Sequence, residues 1–289
     1  MRLRSGFGLL ALGAAVLAVT FLALPVVAIF GDVSPARLLE ALGEEGSREA
    51  LWLSLRTSVA AIALVVAVGT PAAYLLAQRR FRGRALVLTA IELPLVMPPA
   101  VAGIALLAAF GPRGIFGGVI ADAGVELVFE TAGVVLALVF VAAPFFLRGA
   151  IAAFEALDPR LLEAARTLGA GPFRAFATVA VPSARAGLAA GLALAWGRAL
   201  GEFGATLLFA GSLQGVTQTA PLAIFADFSR PGGFVAALAL SAVLIAAAAA
   251  ILLTVKLLGG GAASSRGRAD VPWRHTSSTA LPSWPGGEP

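Results

Sequence analysis

The sequence predicts an all-α membrane protein of six transmembrane helices with both termini in the cytoplasm, and three observations predict it. Hydrophobic residues make up 59% of the 289-residue chain and charged residues 13%, too little charge to cover a water-facing exterior. Apolar runs recur at the length needed to cross a hydrocarbon layer of about 30 Å. Basic residues gather in alternate connections between those runs.

The first run, Phe7 to Phe30, is 24 residues without a charge. That exceeds the core of a secretory signal, roughly 7–15 residues, so it reads as a retained helix. The connection after it is acidic, and Ser34-Pro35 predicts a short surface helix, because serine can cap free N–H groups and proline suits a first helical turn. The remaining spans are expected at about Thr57 to Gln78, Ala85 to Phe110, Thr131 to Ala153, Ala186 to Ala210 and Phe234 to Leu257. All must be helical, since an open strand would leave backbone groups unpaired in hydrocarbon and the runs lack the alternation of a barrel strand. Pro94, Pro98 and Pro99 remove backbone donors and should bend the third span. Past a transmembrane domain of residues 1–258, the stretch 259–289 turns to Gly, Ser, Pro and Arg, the composition of a disordered tail.

Orientation follows from the arginines. One side holds Arg2, Arg4, Arg79, Arg80, Arg82, Arg84, Arg148, Arg160, Arg166, Arg174, Arg185, Lys256, Arg266, Arg268 and Arg274; the other holds only Arg37, Arg48, Arg113 and Arg230. The rich side is cytoplasmic. The opposite mouth is acidic, with Asp32, Glu40, Glu44, Glu45, Glu49, Asp122, Glu126, Glu130 and Asp227.

Composition also closes off chemistry. Cysteine is absent and His275 is the only histidine, so cysteine metal sites, thiolate nucleophiles and a serine–histidine pair near other polar groups are excluded, and no metal site is expected. Lys256 is the only lysine and is followed by Leu257, so the chain has no Walker A phosphate loop and is not itself an ATPase or other enzyme. The net charge of +5 belongs to membrane orientation and not to nucleic acid.

Between Glu155 and Pro182 the chain is too polar to span. Asp158-Pro159 predicts a helix start and Gly169 a left-handed stop; Gly171-Pro172 starts a second short helix, which Pro182 ends. In the first, Leu161, Leu162, Ala165 and Leu168 recur at helical spacing, so one face wants a partner. By spacing alone that partner is a membrane surface, the rest of the chain or another protein. The segment Glu163-Ala164-Ala165-x3-Gly169-x9-Val179-x-Val181-Pro182 resembles the EAA loop of binding-protein-dependent ABC importer permeases, with valines at the two aliphatic positions. The resemblance implies a cytoplasmic coupling helix between spans four and five that docks on an ATPase subunit through Glu163, Ala164, Ala165, Leu168, Gly169 and Pro182.

Leu200-Gly201-Glu202-Phe203-Gly204-Ala205-Thr206 is similar to a segment of the molybdate and sulfate permeases. Leu93-Pro94-Leu95-Val96-Met97-Pro98-Pro99, Gly111-Pro112-Arg113-Gly114 and Thr217-Gln218-Thr219-Ala220-Pro221-Leu222-Ala223-Ile224 look more like the molybdate branch. The resemblance therefore implies the permease subunit of an inner-membrane importer for a tetrahedral oxyanion, molybdate or tungstate, with sulfate or thiosulfate as the alternative. It also implies a homodimer, two ATP-binding subunits that carry ATP and magnesium, and an extracytoplasmic binding protein; no cofactor is expected in this chain.

Within the spans, Arg198 and Glu202 are four apart, as on one face of a fifth helix. Each alone at mid-bilayer would cost about 2.5–3.5 kcal/mol, so they are expected to face the bundle, either as a self-satisfied pair or as lining of the path. Thr206, Glu92 and Pro98 are the other path candidates, with Arg56 at the start of the second span. Gly187-x3-Gly191 and Gly197-x3-Gly201 permit close helix approach, inside one subunit or to a second copy. An ion-coupled secondary transporter is disfavoured because only the third span looks broken, without a matching break elsewhere.

Overall fold

The computed structural model describes residues 6–32 and 34–260. The helices are α1 (Gly6–Asp32), α2 (Pro35–Gly43), α3 (Glu45–Gln78), α4 (Arg84–Val96), α5 (Pro99–Phe110), α6 (Gly117–Asp122), α7 (Thr131–Glu155), α8 (Pro159–Thr167), α9 (Pro172–Ala175), α10 (Val181–Leu200), α11 (Gly204–Ala210), α12 (Ala220–Phe228) and α13 (Phe234–Gly260). A π-helical turn, Phe176–Ala180, joins α9 to α10. Five helical stretches are long and apolar enough to cross a membrane: Gly8–Gly31, Glu45–Gln78, Thr131–Glu155, Pro172–Leu200 and Phe234–Val255. The tail expected from residue 259 begins two residues inside α13, and beyond Gly260 it lies outside the described residues.

The expected third span is two helices, not one. Pro98 and Pro99 have no N–H to donate, and the Cδ of each ring crowds the backbone nitrogen and Cβ of the residue before it, which drives that residue to extended backbone. Met97 accordingly has φ −72° and ψ 130°, and Pro98 has φ −54° and ψ 138°. Pro94, a single proline, is tolerated inside α4. The fifth span differs too. It does not run on from Ala186 to Ala210: α10 stops at Leu200, and α11 restarts at Gly204. The second span starts at Glu45, so Arg56 sits inside α3 instead of at its start.

The core is organised around α7, which packs against α3, α4, α10 and α11. Its buried face of Val134, Leu138, Ala142, Phe146, Ala150 and Phe154 meets Ala61, Ile62, Val65, Ala73 and Leu76 of α3. Where α7 meets α10 the backbones touch: a Cβ on Gly149 would lie 3.0 Å from Gly191 Cα, and one on Gly187 only 2.5 Å from Ala153 Cβ. Gly187-x3-Gly191 is thus an internal seam. Gly197 has nothing within 4 Å of its would-be Cβ, so Gly197-x3-Gly201 faces open space.

Polar side chains buried in α3 tie in the remaining pieces. Ser54 Oγ accepts from Ala220 N at 2.7 Å, satisfying the first turn of α12, whose N-cap Thr219 makes no side-chain cap bond. Trp196 Nε1 of α10 donates to Ser58 Oγ at 3.2 Å. The N-terminal α1 lies beside α13 with its apolar side chains exposed nearly all round, as a helix sheathed in lipid or in other protein must be.

Gly191→Val should lower stability by about 1–3 kcal/mol, the cost of overpacking a closed seam, whereas Gly197→Ala should cause no loss. Thermal unfolding of the detergent-solubilised protein distinguishes the two, and equal losses would remove the distinction between the glycine pairs.

Candidate functional site

The loop after α7 folds as its residues require. Asp158 Oδ1 accepts from Arg160 N at 3.0 Å, and Pro159 takes the first helical position of α8. At the other end Gly169 has φ +82°, Gly169 N donates to Arg166 O and Ala170 N donates to Ala165 O, both at 2.9 Å. That paired closure is the Schellman arrangement, and a side chain at the left-handed position would strain it. Leu162 turns inward and is buried, Ala165 is half-buried, and Glu163, Ala164 and Leu161 are exposed. Leu168 is 86% exposed and Phe173, on α9, 79% exposed. Two large apolar side chains therefore point away from the bundle.

Pro182 does not end the second short helix. The chain passes from α9 through the π turn into α10 without a break, and Pro182 occupies the first turn of α10. A proline inside a helix lacks a donor and crowds the carbonyl four residues back; widening the preceding turn makes room. Val181 N donates to Phe176 O, the five-residue closure of a π turn. The turn is pinned to the bundle by aromatic packing: Phe176 lies 4.9 Å from Tyr74 and 6.4 Å from Phe154 between ring centroids.

Arg84 adds a polar tie at the same end. Its Nε donates to Leu76 O at 2.9 Å and its Nη2 to Glu155 Oε1. One guanidinium thus holds the end of α3, the start of α4 and the end of α7, three residues before the Asp158 cap.

Arg198 and Glu202 do pair, but not across a helix face. Glu202 lies in the gap between α10 and α11, 1% exposed. Its Oε1 accepts from Ala205 N at 2.7 Å, and its Oε2 sits 2.5 Å from Nη2 of Arg198, whose side chain is 28% exposed. The carboxylate serves the broken backbone and the guanidinium at once. The two helix breaks abut, since a Cβ on Gly204 would lie 2.7 Å from Pro99 Cβ. Pro98 is exposed at this junction, and Thr206 is fully buried in α11.

Glu92, the remaining path candidate, lies on α4 with its Oε1 3.9 Å from Arg148 Nε. Counting basic residues by segment assigns Arg148 to the cytoplasmic connections. The structure puts it inside α7, seven residues before the helix ends. Its setting, Phe145-Phe146-Leu147 before and Gly149-Ala150-Ile151 after, is the signal that marks a charge within a span.

The chain resembles known proteins. Residues 66–257 match the family described as "Binding-protein-dependent transport system inner membrane component". The "Molybdenum transport system permease protein ModB" of Mycobacterium tuberculosis is 42% identical over 231 residues, 80% of this chain and 87% of that protein. ModB of Escherichia coli is 39% identical over 68% of this chain and 86% of its own length. The "Sulfate transport system permease protein CysW" of Synechocystis is 34% identical over 78% of this chain and 83% of its own. Among solved structures, a bacterial ABC transporter involved in the import of alginate matches with TM-score 0.68 at 17% identity, over 88% of this chain and 94% of that one. At that identity the likeness is one of fold.

Removing the Glu202 carboxylate strands both Arg198 and the Ala205 amide in the first turn of α11. Glu202→Ala should cost about 3–5 kcal/mol, the usual loss on breaking a buried pair. Glu202→Gln should cost less, because its amide oxygen still accepts from Ala205 N. Thermal unfolding in detergent reads both, and equal losses would show that the capping bond contributes nothing.

Proposed function

Because this chain belongs to the binding-protein-dependent transport system inner membrane component family, the inner-membrane permeases of ABC importers, we propose that it carries a tetrahedral oxyanion, molybdate or tungstate, inward. In this reading two copies form the conduit, each gripped by one ATP-binding subunit, and a binding protein delivers the anion from outside. The broken pair α4 and α5 makes the sixth crossing, and both termini are cytoplasmic, as the distribution of arginines supports.

The observation that carries the coupling role is the uncovered apolar surface of Leu161, Leu168 and Phe173 on a loop that resembles the EAA pattern. Exposed leucine and phenylalanine on a rigid helical hairpin are what a partner's groove would bury. Glu163, Ala164, Ala165 and Gly169 shape that hairpin, and Pro182 sits where it enters the membrane helix. Closure of the ATPase pair around nucleotide would displace the hairpin, and α9 with α10 would carry the motion inward. The acidic outer mouth repels free dianions, which favours delivery by a docked protein over capture from solution.

Molybdate is supported by the relatives named for molybdenum transport. Sulfate remains the second reading because sulfate permeases match nearly as much of the chain. An ion-coupled carrier is set aside on family membership. The lack of a second broken span does not count against it, since the fifth span is broken as well.

Uptake of radiolabelled molybdate by proteoliposomes holding the permease, its ATPase and its binding protein should require ATP and be abolished by vanadate. Competition with tungstate should be strong and with sulfate weak; the reverse order would assign sulfate. Leu168→Asp should reduce ATPase-subunit association at least tenfold with membrane insertion unchanged, and undiminished association would refute docking through this loop.

A further inference from the structure

Arg148 combines depth in its helix with exposure. Counting about 1.5 Å per residue, it lies roughly 10 Å inside the cytosolic end of α7, yet its side chain is 71% exposed. A guanidinium has five N–H donors. Its one ion-pair partner among the described residues is Glu92, half-exposed and 3.9 Å away, beyond hydrogen-bonding distance. Two other arginines give the contrast. Arg56, also exposed, lies on α3, 11 residues after its start at Glu45, and does not line the space that Arg148 faces. Arg198, 2.5 Å from a carboxylate that is itself buried and capping a helix, is already committed. An arginine facing lipid costs about 2.5–3.5 kcal/mol at a helix centre on the lenient scale and less towards a helix end, so the space that Arg148 faces favours water, polar groups or an anion over lipid.

That space is a groove of about 560 Å³ between α4, α7 and α10, walled by Arg148, Leu95, Gly149, Ala190, Gly191 and Leu194. Its size falls in the ordinary range of small-ligand sites, with room for an oxyanion and part of its hydration shell. The small residues leave Arg148 the dominant polar feature of the wall. Glu92 and Arg148 form the second of two ion pairs joining α4 to α7. The first, Arg84 with Glu155, is closed and also hydrogen-bonded to backbone. The helix pairing therefore already has a structural tie, and the open pair is free for another task.

We propose that Arg148 binds the transported oxyanion in the cytosolic half of the path, and that Glu92 is the internal counter-ion which the anion displaces. The inference rests on the oxyanion reading above and names a residue for it. The planar fork of the guanidinium suits two oxygens of a tetrahedral dianion. Glu92, one helix away, repels that dianion and re-pairs with Arg148 as it leaves, so the site holds its cargo without trapping it.

The chain has no cysteine, which permits a single-thiol test in the full transporter with ATPase and binding protein in proteoliposomes. Ala190→Cys should react with a charged thiol reagent applied from the cytosolic side, and molybdate or sulfate should slow the reaction. Adding Arg148→Gln should abolish that protection, while Glu92→Gln should give half-protection at a lower anion concentration. In uptake, Arg148→Gln should lose at least tenfold with ATPase-subunit association intact, and Arg148→Lys should recover part of it. The double variant Arg148→Met with Glu92→Met removes both charges and keeps the packing volume; it should stay inactive. Retained uptake in that double variant, a thiol in Ala190→Cys that fails to react, or equal effects of Arg148→Gln and Glu92→Gln would each overturn the proposal. Should the unmodified transporter carry neither anion, the oxyanion reading falls, and this inference with it; a working parent with an unimpaired Arg148→Gln overturns the inference alone.

Discussion

A backbone amide left unpaired in hydrocarbon has no water to turn to, and the arrangement of this bundle follows from that constraint. Unbroken helices satisfy it automatically. The breaks within the expected third and fifth spans, at Met97–Pro98 and at residues 201–203, need something more. Prolines at the first break carry no amide to satisfy. At the second, the Glu202 carboxylate accepts the Ala205 amide and then needs a cation, which Arg198 supplies one turn earlier. The charge pair in the membrane is thus a consequence of the break, and the two breaks pack against each other at Gly204 and Pro99.

The same constraint shapes the end of the bundle that carries the loop after α7. A proline at position 182 would ordinarily mark the end of a helix, and terminating there would strand several carbonyls at the membrane boundary. A single wide turn, Phe176–Ala180, lets the helix pass through, and the ring of Phe176 fills the space beside Tyr74 and Phe154. The loop is therefore firmly joined to the bundle at one end through α10, and at the other through Arg84 and Glu155.

Much of this is legible from residue order. Long apolar runs without charge identify helices because nothing else buries them, and Asp158, Pro159 and Gly169 announce a short helix by local capping chemistry that needs no tertiary partner. Helix continuity is harder to read. The break after Leu200 contains Gly201, Glu202 and Phe203 with no proline, and only the acceptance of Ala205 N by Glu202 reveals why the helix stops. Continuity through Pro182 is hidden for the opposite reason, since a π turn leaves no mark in composition. Arg148 falls among loop arginines in a segment-by-segment count because such a count ignores how far each residue lies from a helix end.

From Pro172 to Leu200 the backbone is a single helical rod of 29 residues, about 44 Å at 1.5 Å per residue, with one tip at Phe173 and the other beside the Arg198–Glu202 junction. A rod of this kind resists stretching far more than tilting. A shove on Phe173 would reach the buried junction as a swing about the glycine seam at Gly187 and Gly191, with that seam as the fulcrum. The arm to Phe173, roughly 24 Å, outreaches the arm to the junction, roughly 17 Å, so the lever trades travel for force.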